Sequence, residues 1–232
     1  HPQGPAIAKK LAKWADVLLE SFMPGTMDRW GLAYENLRRI NPSLVMLATS
    51  SQGQTGPHSV HHSYGTILVS LSGVTNLTGW PDRGPAQPYG AYTDVIAPRF
   101  GAAALLAALN YRQQTGEGCY IDLSQLETAL QFVSPVLLDY AANGREASRE
   151  GNTCRYAAPH AAYPCSGEDR WCVITVFNDR QWESFCRLLK RFNLAWQEED
   201  RFATILDRKE NEAELDSLIS QWTLHQKAEA TR

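Results

Sequence analysis

The residues best suited to chemistry in this chain are a lone carboxylate and a short run of histidines. Asp94 stands in Tyr92-Thr93-Asp94-Val95, just ahead of a small and apolar run from Ile96 to Leu109. Ala and Leu favour helix, so the run predicts a buried helix that closes on Arg112-Gln113-Gln114-Thr115-Gly116. An Asp at a helix start can cap the free N–H groups of the first turn. Those same groups and the helix dipole favour an ionised carboxylate, and an ionised carboxylate can act as a nucleophile. Spacing alone leaves both roles open. His58, His61 and His62 cluster before Ser63-Tyr64-Gly65. With no matching carboxylate pattern they read as polar loop or ligand contacts, and no metal site is expected. Cys119, Cys154, Cys165, Cys172 and Cys186 form an odd, scattered set without a C-x-x-C pair, which predicts free thiols in a reducing cytoplasm.

The elements that must position these groups alternate in type. Pro5 to Trp14 predicts a helix, Ala15 to Glu20 a buried parallel strand, and Ser21-Phe22-Met23-Pro24-Gly25 a loop. Helices follow at Met27–Trp30 and Tyr34–Ile40, the second broken by Asn41-Pro42. Leu44 to Thr49 is the next strand and runs into the Gly-rich loop 50–57, which lacks the Gly-Lys-Ser/Thr of a P-loop. Thr66 to Leu71 predicts a helix, Thr75 to Gln87 a turn-rich stretch, and Tyr120 to Leu123 a short strand after Gly116-Glu117-Gly118. A helix from Leu126 to Tyr140 is expected to be kinked or split at Pro135. Beyond a polar linker, 151–165 reads as loop, Trp171–Val176 as strand, and Asp179–Leu189 and Asn211–Trp222 as helices. The order predicts an α/β fold, with a Rossmann-like parallel-sheet large domain over 1–142, a linker and active-site loop over 143–162, and a small α+β domain over 163–232. Ligands in such sheets bind beyond the carboxyl ends of the strands, here the loops at 20–30 and 50–57.

Composition narrows the function classes. The 232 residues are 44% hydrophobic and 20% charged with net charge -3, the profile of a soluble globular protein and not of a nucleic-acid binder. No apolar run is expected to span a membrane and no signal peptide is visible, so a cytoplasmic protein is expected. The chain opens on His1 and stops in a polar, helix-like stretch from Trp222 to Arg232, which reads as a piece of a longer polypeptide.

An ordered set of short motifs carries a resemblance. Glu20-Ser21-Phe22-Met23-Pro24-Gly25-Thr26-Met27-Asp28-Arg29-Trp30-Gly31-Leu32, then Leu37-Arg38-Arg39-Ile40-Asn41-Pro42, then Gly53-Gln54-Thr55-Gly56-Pro57 resemble the class III CoA-transferases. Leu71-Ser72-Gly73, Asp94 with its Ala-rich helix, Thr115-Gly116-Glu117-Gly118 and Ile121-Asp122-Leu123-Ser124 continue the match. So do Gly151-Asn152, Ala158-Pro159-His160, Tyr163-Pro164-Cys165 and Asp169-Arg170-Trp171. The resemblance covers nearly the whole chain. The family's N-terminal strand–helix–strand and C-terminal return segment are what this sequence lacks.

The resemblance implies the interlocked-dimer fold of that family, with coenzyme A and acyl-CoA as substrates, a small carboxylic acid as acceptor, a homodimer as the assembly, and neither membrane nor nucleic acid as partner. It places the family's nucleophile at Asp94. It places CoA contacts at Ser21, Phe22, Met23, Arg29, His62, Ser63, Tyr64 and Gly65, and an active-site lid with oxyanion donors at Gly151 and Asn152. A fully glycine lid is not present. Arg29 suits a phosphate, with a surface ion pair as the plain alternative. Phe22 and Trp30 line the ligand or belong to the core. His160 reads first as a loop histidine, with catalysis as the alternative. Related racemases carry a His where this chain has Tyr64, and Tyr is a poor partner for α-proton transfer at neutral pH; a shifted register would set His61 or His62 there instead. A CoA-transferase is therefore expected, with a 2-methylacyl-CoA racemase or a non-catalytic CoA-binding protein as alternatives. Arg99, Arg155 and Arg170 are unranked candidates for gripping the acceptor carboxylate.

Overall fold

The computed structural model describes residues 1–231. Arg232, the end of the expected small domain and of the polar stretch from Trp222, lies outside the described residues. The chain forms two compact units, His1–Arg149 and Glu150–Arg232.

The first unit runs α1 (Gly4–Trp14), β1 (Val17–Glu20), α2 (Thr26–Arg29), α3 (Tyr34–Arg38), β2 (Val45–Ser50), α4 (Gly65–Leu71), α5 (Val74–Leu77), α6 (Tyr92–Thr115), β3 (Tyr120–Ser124), α7 (Gln125–Leu130) and α8 (Ser134–Asn143). The three strands form one parallel sheet in the order β1-β2-β3. Parallel neighbours need crossover helices, which is why α2 and α3 separate β1 from β2 and α4 to α6 separate β2 from β3. The register sets Leu18, Met46 and Tyr120 in one row and Glu20, Ala48 and Asp122 in the next. Alternation puts these rows on one face. Met46 and Leu18 pack there with Ala12, Leu32, Leu37 and Leu44 from the α1–α3 side. On the other face, Gly101 of α6 lies against Leu123 and Leu47.

Helix α6 has 24 residues, about 36 Å at 1.5 Å per residue. By length and composition it is apolar enough to cross a membrane, a length the sequence reading did not allow for. Here it lies along the sheet. Its last turn meets the start of β1, where the Arg112 guanidinium donates to the Asp16 carbonyl at 3.1 Å and to its Oδ1 at 2.5 Å. Gly116 ends the helix at φ 78° and donates its N–H to the Arg112 carbonyl at 2.7 Å, a left-handed closure that glycine adopts without strain. At the far end α6 begins three residues earlier than a helix capped by Asp94 would, with Ala91 as the cap residue. Asp94 therefore sits inside the first turn and is not the cap. Its N–H already donates to the Ala91 carbonyl at 2.9 Å.

Pro135 does divide the next helical stretch. A 3-10 turn at Gln131–Val133 separates α7 from α8, and Pro135 sits in the opening turn of α8, where a missing N–H costs little.

The second unit is α+β: β4 (His160–Pro164), β5 (Trp171–Thr175), α9 (Asp179–Leu189), α10 (Ile205–Glu210) and α11 (Glu212–Thr223). β4 falls in the stretch read as loop. Its Ala161-Ala162 centre has little strand propensity, and antiparallel pairing with β5, from His160↔Thr175 to Pro164↔Trp171, imposes the extended form. The core gathers Tyr163, Val176, Trp182, Leu189, Phe202, Leu215, Ile219 and Trp222. Arg208 is fully buried beside it. Its guanidinium donates to the carbonyls of Ala158, Phe202 and Ala203 at 2.8–3.1 Å and to Asp179 at 2.8 Å, and it lies over the Trp182 ring. Among the described residues no cysteine forms a disulfide.

Candidate functional site

The strands are parallel, so their carboxyl ends share one edge of the sheet, and a chain of contacts leads from that edge to Asp94. Ser51, just past β2, donates its hydroxyl to the Ser63 carbonyl at 3.2 Å. Two residues on, Gly65 opens α4 and is buried. The buried Thr93 hydroxyl donates to the Gly65 carbonyl at 3.2 Å. Gly65 also lies against Asp94 itself, since a Cβ added there would be 2.7 Å from the Asp94 Cγ and Oδ1. Helix α6 runs from this point back along the sheet to the amino end of β1. Asp94 thus stands at the carboxyl edge, where open α/β sheets place their ligands. Its side chain is exposed, and no hydrogen bond or ion pair engages its carboxylate among the described residues.

The other positions named from sequence fall on the loops of the same unit. Ser21, Phe22 and Met23 follow β1 and are exposed. Phe22 packs edge-on against Trp30, with ring centroids 5.0 Å apart, so these two rings make an exposed aromatic pair and not core. Arg29 is exposed and its guanidinium donates to the Thr26 hydroxyl at 2.9 Å. That bond holds one nitrogen toward α2 and leaves the remaining donors of the fork available. Between β2 and α4, His62 is exposed, Ser63 half-buried, and Tyr64 is 78% exposed. His58 and His61 lie ring to ring at 5.0 Å. Among the described residues no group of three or more His, Cys, Asp or Glu side chains is placed to hold a metal ion.

Gly151 and Asn152 belong to the second unit. Gly151 has φ 60°, and the Asn152 carbonyl bonds the His160 ring at Nδ1, 2.7 Å away. His160 therefore braces this turn. Arg155 pairs with Glu150 and Arg170 with Glu229, while the Arg99 guanidinium bonds the Val95 carbonyl.

Sequence reasoning did not single out the acidic face of the sheet. Glu20 is 6% exposed and its carboxylate accepts the Phe22 N–H at 2.6 Å. Burial pushes the Glu20 carboxyl above its ordinary value, with the nearby Asp122 adding to the rise and the Phe22 bond opposing it. Asp122 accepts the Gln54 N–H at 2.9–3.0 Å, which ties the Gly-rich loop to β3. Glu20, Met46, Tyr34, Tyr120 and Gln54 line a cavity of about 360 Å³ on this side. Burial, followed by Asp122 and Glu20, pushes the Tyr120 hydroxyl up to about 12. Glu20 and Asp122 share a face because both align with Ala48 in the strand register. The pairing can be read only once that register is known.

Comparison with known proteins adds an independent line. CoA-transferase family III matches residues 1–232. Succinyl-CoA–D-citramalate CoA-transferase of Chloroflexus aurantiacus is 36% identical over 98% of this chain and 56% of its own length. Acetyl-CoA:oxalate CoA-transferase of Acetobacter aceti is 34% identical over 93% of this chain and 55% of its own. Among solved structures, a CaiB/BaiF family protein from Brucella suis superposes with a TM-score of 0.83 at 31% identity. That match covers 99% of this chain and 60% of the other. The chain spans a little over half the length of these curated relatives.

Proposed function

The chain belongs to CoA-transferase family III, and from that premise we propose that its protein moves CoA from an acyl-CoA thioester to a carboxylic acid, with Asp94 as the nucleophile. The observation that carries this reading is the Asp94 carboxylate, exposed and unpaired among the described residues at the carboxyl edge of a parallel sheet, beside a residue without a side chain.

In this reading an Asp94 oxygen attacks the thioester carbonyl, the C–S bond breaks, and CoA leaves as thiolate. A mixed anhydride of aspartate and the donor acid remains. The thiolate attacks the aspartyl carbonyl, releases the donor carboxylate and forms an aspartyl-CoA thioester. The acceptor carboxylate attacks that thioester, giving a second anhydride, and the returning thiolate attacks its acceptor carbonyl. Acceptor acyl-CoA leaves and the Asp94 carboxylate is regenerated. Splitting the exchange this way replaces one difficult displacement with several easier ones. Each tetrahedral intermediate needs N–H donors for its oxyanion, and the backbone of Gly151 and Asn152 is assigned that role.

Ser21, Phe22, Met23, Arg29, His62, Ser63, Tyr64 and Gly65 are assigned to CoA. Arg29 supplies charged donors to a phosphate, and the Phe22–Trp30 pair offers an aromatic surface to the adenine or pantetheine. The division into a large domain, a linker with an active-site loop over 143–162, and a small domain, assembled as an interlocked homodimer, belongs to the same proposal. The names of the relatives, which include transferases for succinyl-CoA with D-citramalate, L-malate and glutarate, support a dicarboxylate acceptor and succinyl-CoA as donor. The test is transfer of CoA from succinyl-CoA to a panel of mono- and dicarboxylic acids by the full chain, followed by chromatography of the acyl-CoA products. Dicarboxylyl-CoA products that vanish in Asp94→Ala support the reading. Equal turnover by the Asp94→Ala protein contradicts it.

A further inference from the structure

The turn of α6 that carries Asp94 is weakly held by the helix itself. Pro98 lies four residues on, so its ring nitrogen has no hydrogen to give the Asp94 carbonyl, and its ring crowds that carbonyl. At the next position the Arg99 guanidinium takes up the Val95 carbonyl. The helix therefore lacks one of its own bonds at Asp94, the residue whose aim matters most.

A tertiary contact supplies the missing constraint. Thr93 is 0% exposed, and its hydroxyl donates to the Gly65 carbonyl at 3.2 Å. That bond closes the seam between the starts of α4 and α6. The seam is tight: a Cβ at Gly65 would lie 2.5 Å from the Ala91 Cβ and 2.7 Å from the Asp94 Cγ. Gly65 is itself tethered toward the sheet edge, two residues from the Ser63 carbonyl that Ser51 holds. Successive helical residues point about 100° apart, as 3.6 residues per turn requires. Thr93 can thus face the seam while Asp94 faces solvent.

We propose that Thr93 is a positioning residue for Asp94, its buried hydroxyl fixing the first turn of α6 against Gly65 and so setting the direction and reach of the carboxylate. Thr93 touches no reacting atom. The proposal rests on the reading of Asp94 as nucleophile, and it separates two functions in adjacent residues, one holding and one reacting.

The test compares Thr93→Val, which keeps the shape and loses the donor, with Thr93→Ser, which keeps the donor and loses a methyl. Both are made in the full chain. Three quantities are read: the single-turnover rate of Asp94 acylation by succinyl-CoA, trapped as hydroxamate; the Kd for CoA; and crystal structures of both variants. Displacements near 1 Å at a reacting group cost on the order of 10²-fold in rate. The expected result is an acylation rate about 10- to 100-fold lower in Thr93→Val, a CoA Kd within about twofold of wild type, and a rate in Thr93→Ser close to wild type. In the crystal, the first turn of α6 moves away from Gly65 in Thr93→Val and stays in place in Thr93→Ser. Equal acylation rates in wild type and Thr93→Val overturn the proposal, and so does an equal loss in both variants, since a merely structural role would not distinguish hydroxyl from methyl. If wild type itself forms no adduct, the assignment of Asp94 fails. The crystal comparison then decides the positioning claim alone, and an unmoved first turn in Thr93→Val overturns it.

Discussion

Replacing Gly65 by Ala sets two physical effects against each other, and the sign of the outcome decides between them. Gly65 opens a helix, so propensity alone predicts that Ala stabilises, by up to about 1 kcal/mol. The geometry predicts the reverse. The added Cβ would stand 2.5 Å from the Ala91 Cβ and 2.7 Å from the Asp94 Cγ, whereas carbon atoms pack at about 3.5–4.0 Å. Asp94 could swing aside, but the Ala91 Cβ is fixed to the backbone. The starts of α4 and α6 must therefore part by roughly 1 Å. Overpacking of this kind costs about 1–3 kcal/mol, and the Thr93–Gly65 bond, already at 3.2 Å, is stretched beyond useful length, for about 1 kcal/mol more. The net expectation is a loss of about 1–3 kcal/mol with a rate reduction on the order of 10²-fold. Urea denaturation and steady-state CoA transfer, measured on the same preparation, give both numbers. A Gly65→Ala protein as stable as wild type or more so, with an unchanged rate, would refute the packing argument and leave propensity as the winning effect.

Other positions test the scaffold. Gly118 leads into β3, and a Cβ there would come within 2.0 Å of the Leu44 carbonyl oxygen; backbone cannot step aside cheaply, so Gly118→Ala is expected to lose about 3 kcal/mol or more by chemical denaturation. Arg208→Met removes the donors that serve the Ala158, Phe202 and Ala203 carbonyls from a fully buried side chain, and a loss of about 3 kcal/mol or more is expected in chemical denaturation, at about 1 kcal/mol or more per orphaned carbonyl. Glu20→Gln keeps an acceptor for the Phe22 N–H and removes the charge. Burial raises the Glu20 carboxyl in the folded state above its unfolded value, so the folded state holds its proton more tightly, and the charged form is penalised once pH passes the folded value. Glu20→Gln should therefore be more stable than wild type at pH 7, with the advantage vanishing toward pH 4 and below. An advantage that grows as pH falls would reverse the assigned sign.

Much of the fold was legible in the sequence because local and tertiary preferences agree. The strands at 17–20, 45–50 and 120–124 are short, mainly apolar segments between helix signals, and the central one, β2, is buried over Val45–Ala48 as the middle of a parallel sheet requires. The readings diverged where tertiary contacts overrule local preference. β4 is extended because β5 pairs with it, not because Ala161 and Ala162 favour strands. α10 went unread because Ile-Leu-Asp-Arg-Lys-Glu shows little apolar periodicity, although Thr204 and Asp207 form a capping box that announces it. Arg208 within it is buried, against the usual preference of Arg for the surface. At the candidate site, the Asp94 position was visible as a carboxylate at a helix start. Its placement inside the first turn, the clasp from Thr93 and the close approach of Gly65 were not. They depend on contacts between residues 28 and 29 positions apart, which no local pattern encodes.

The measurement that bears most directly on the central claim is mass spectrometry of the full chain incubated with succinyl-CoA and quenched with hydroxylamine, with peptide mapping of the adduct. A hydroxamate on Asp94, absent in Asp94→Ala, is the result expected of a nucleophilic Asp94. Rapid transfer of CoA with no modification at Asp94, or with a hydroxamate on a different carboxylate, would contradict it.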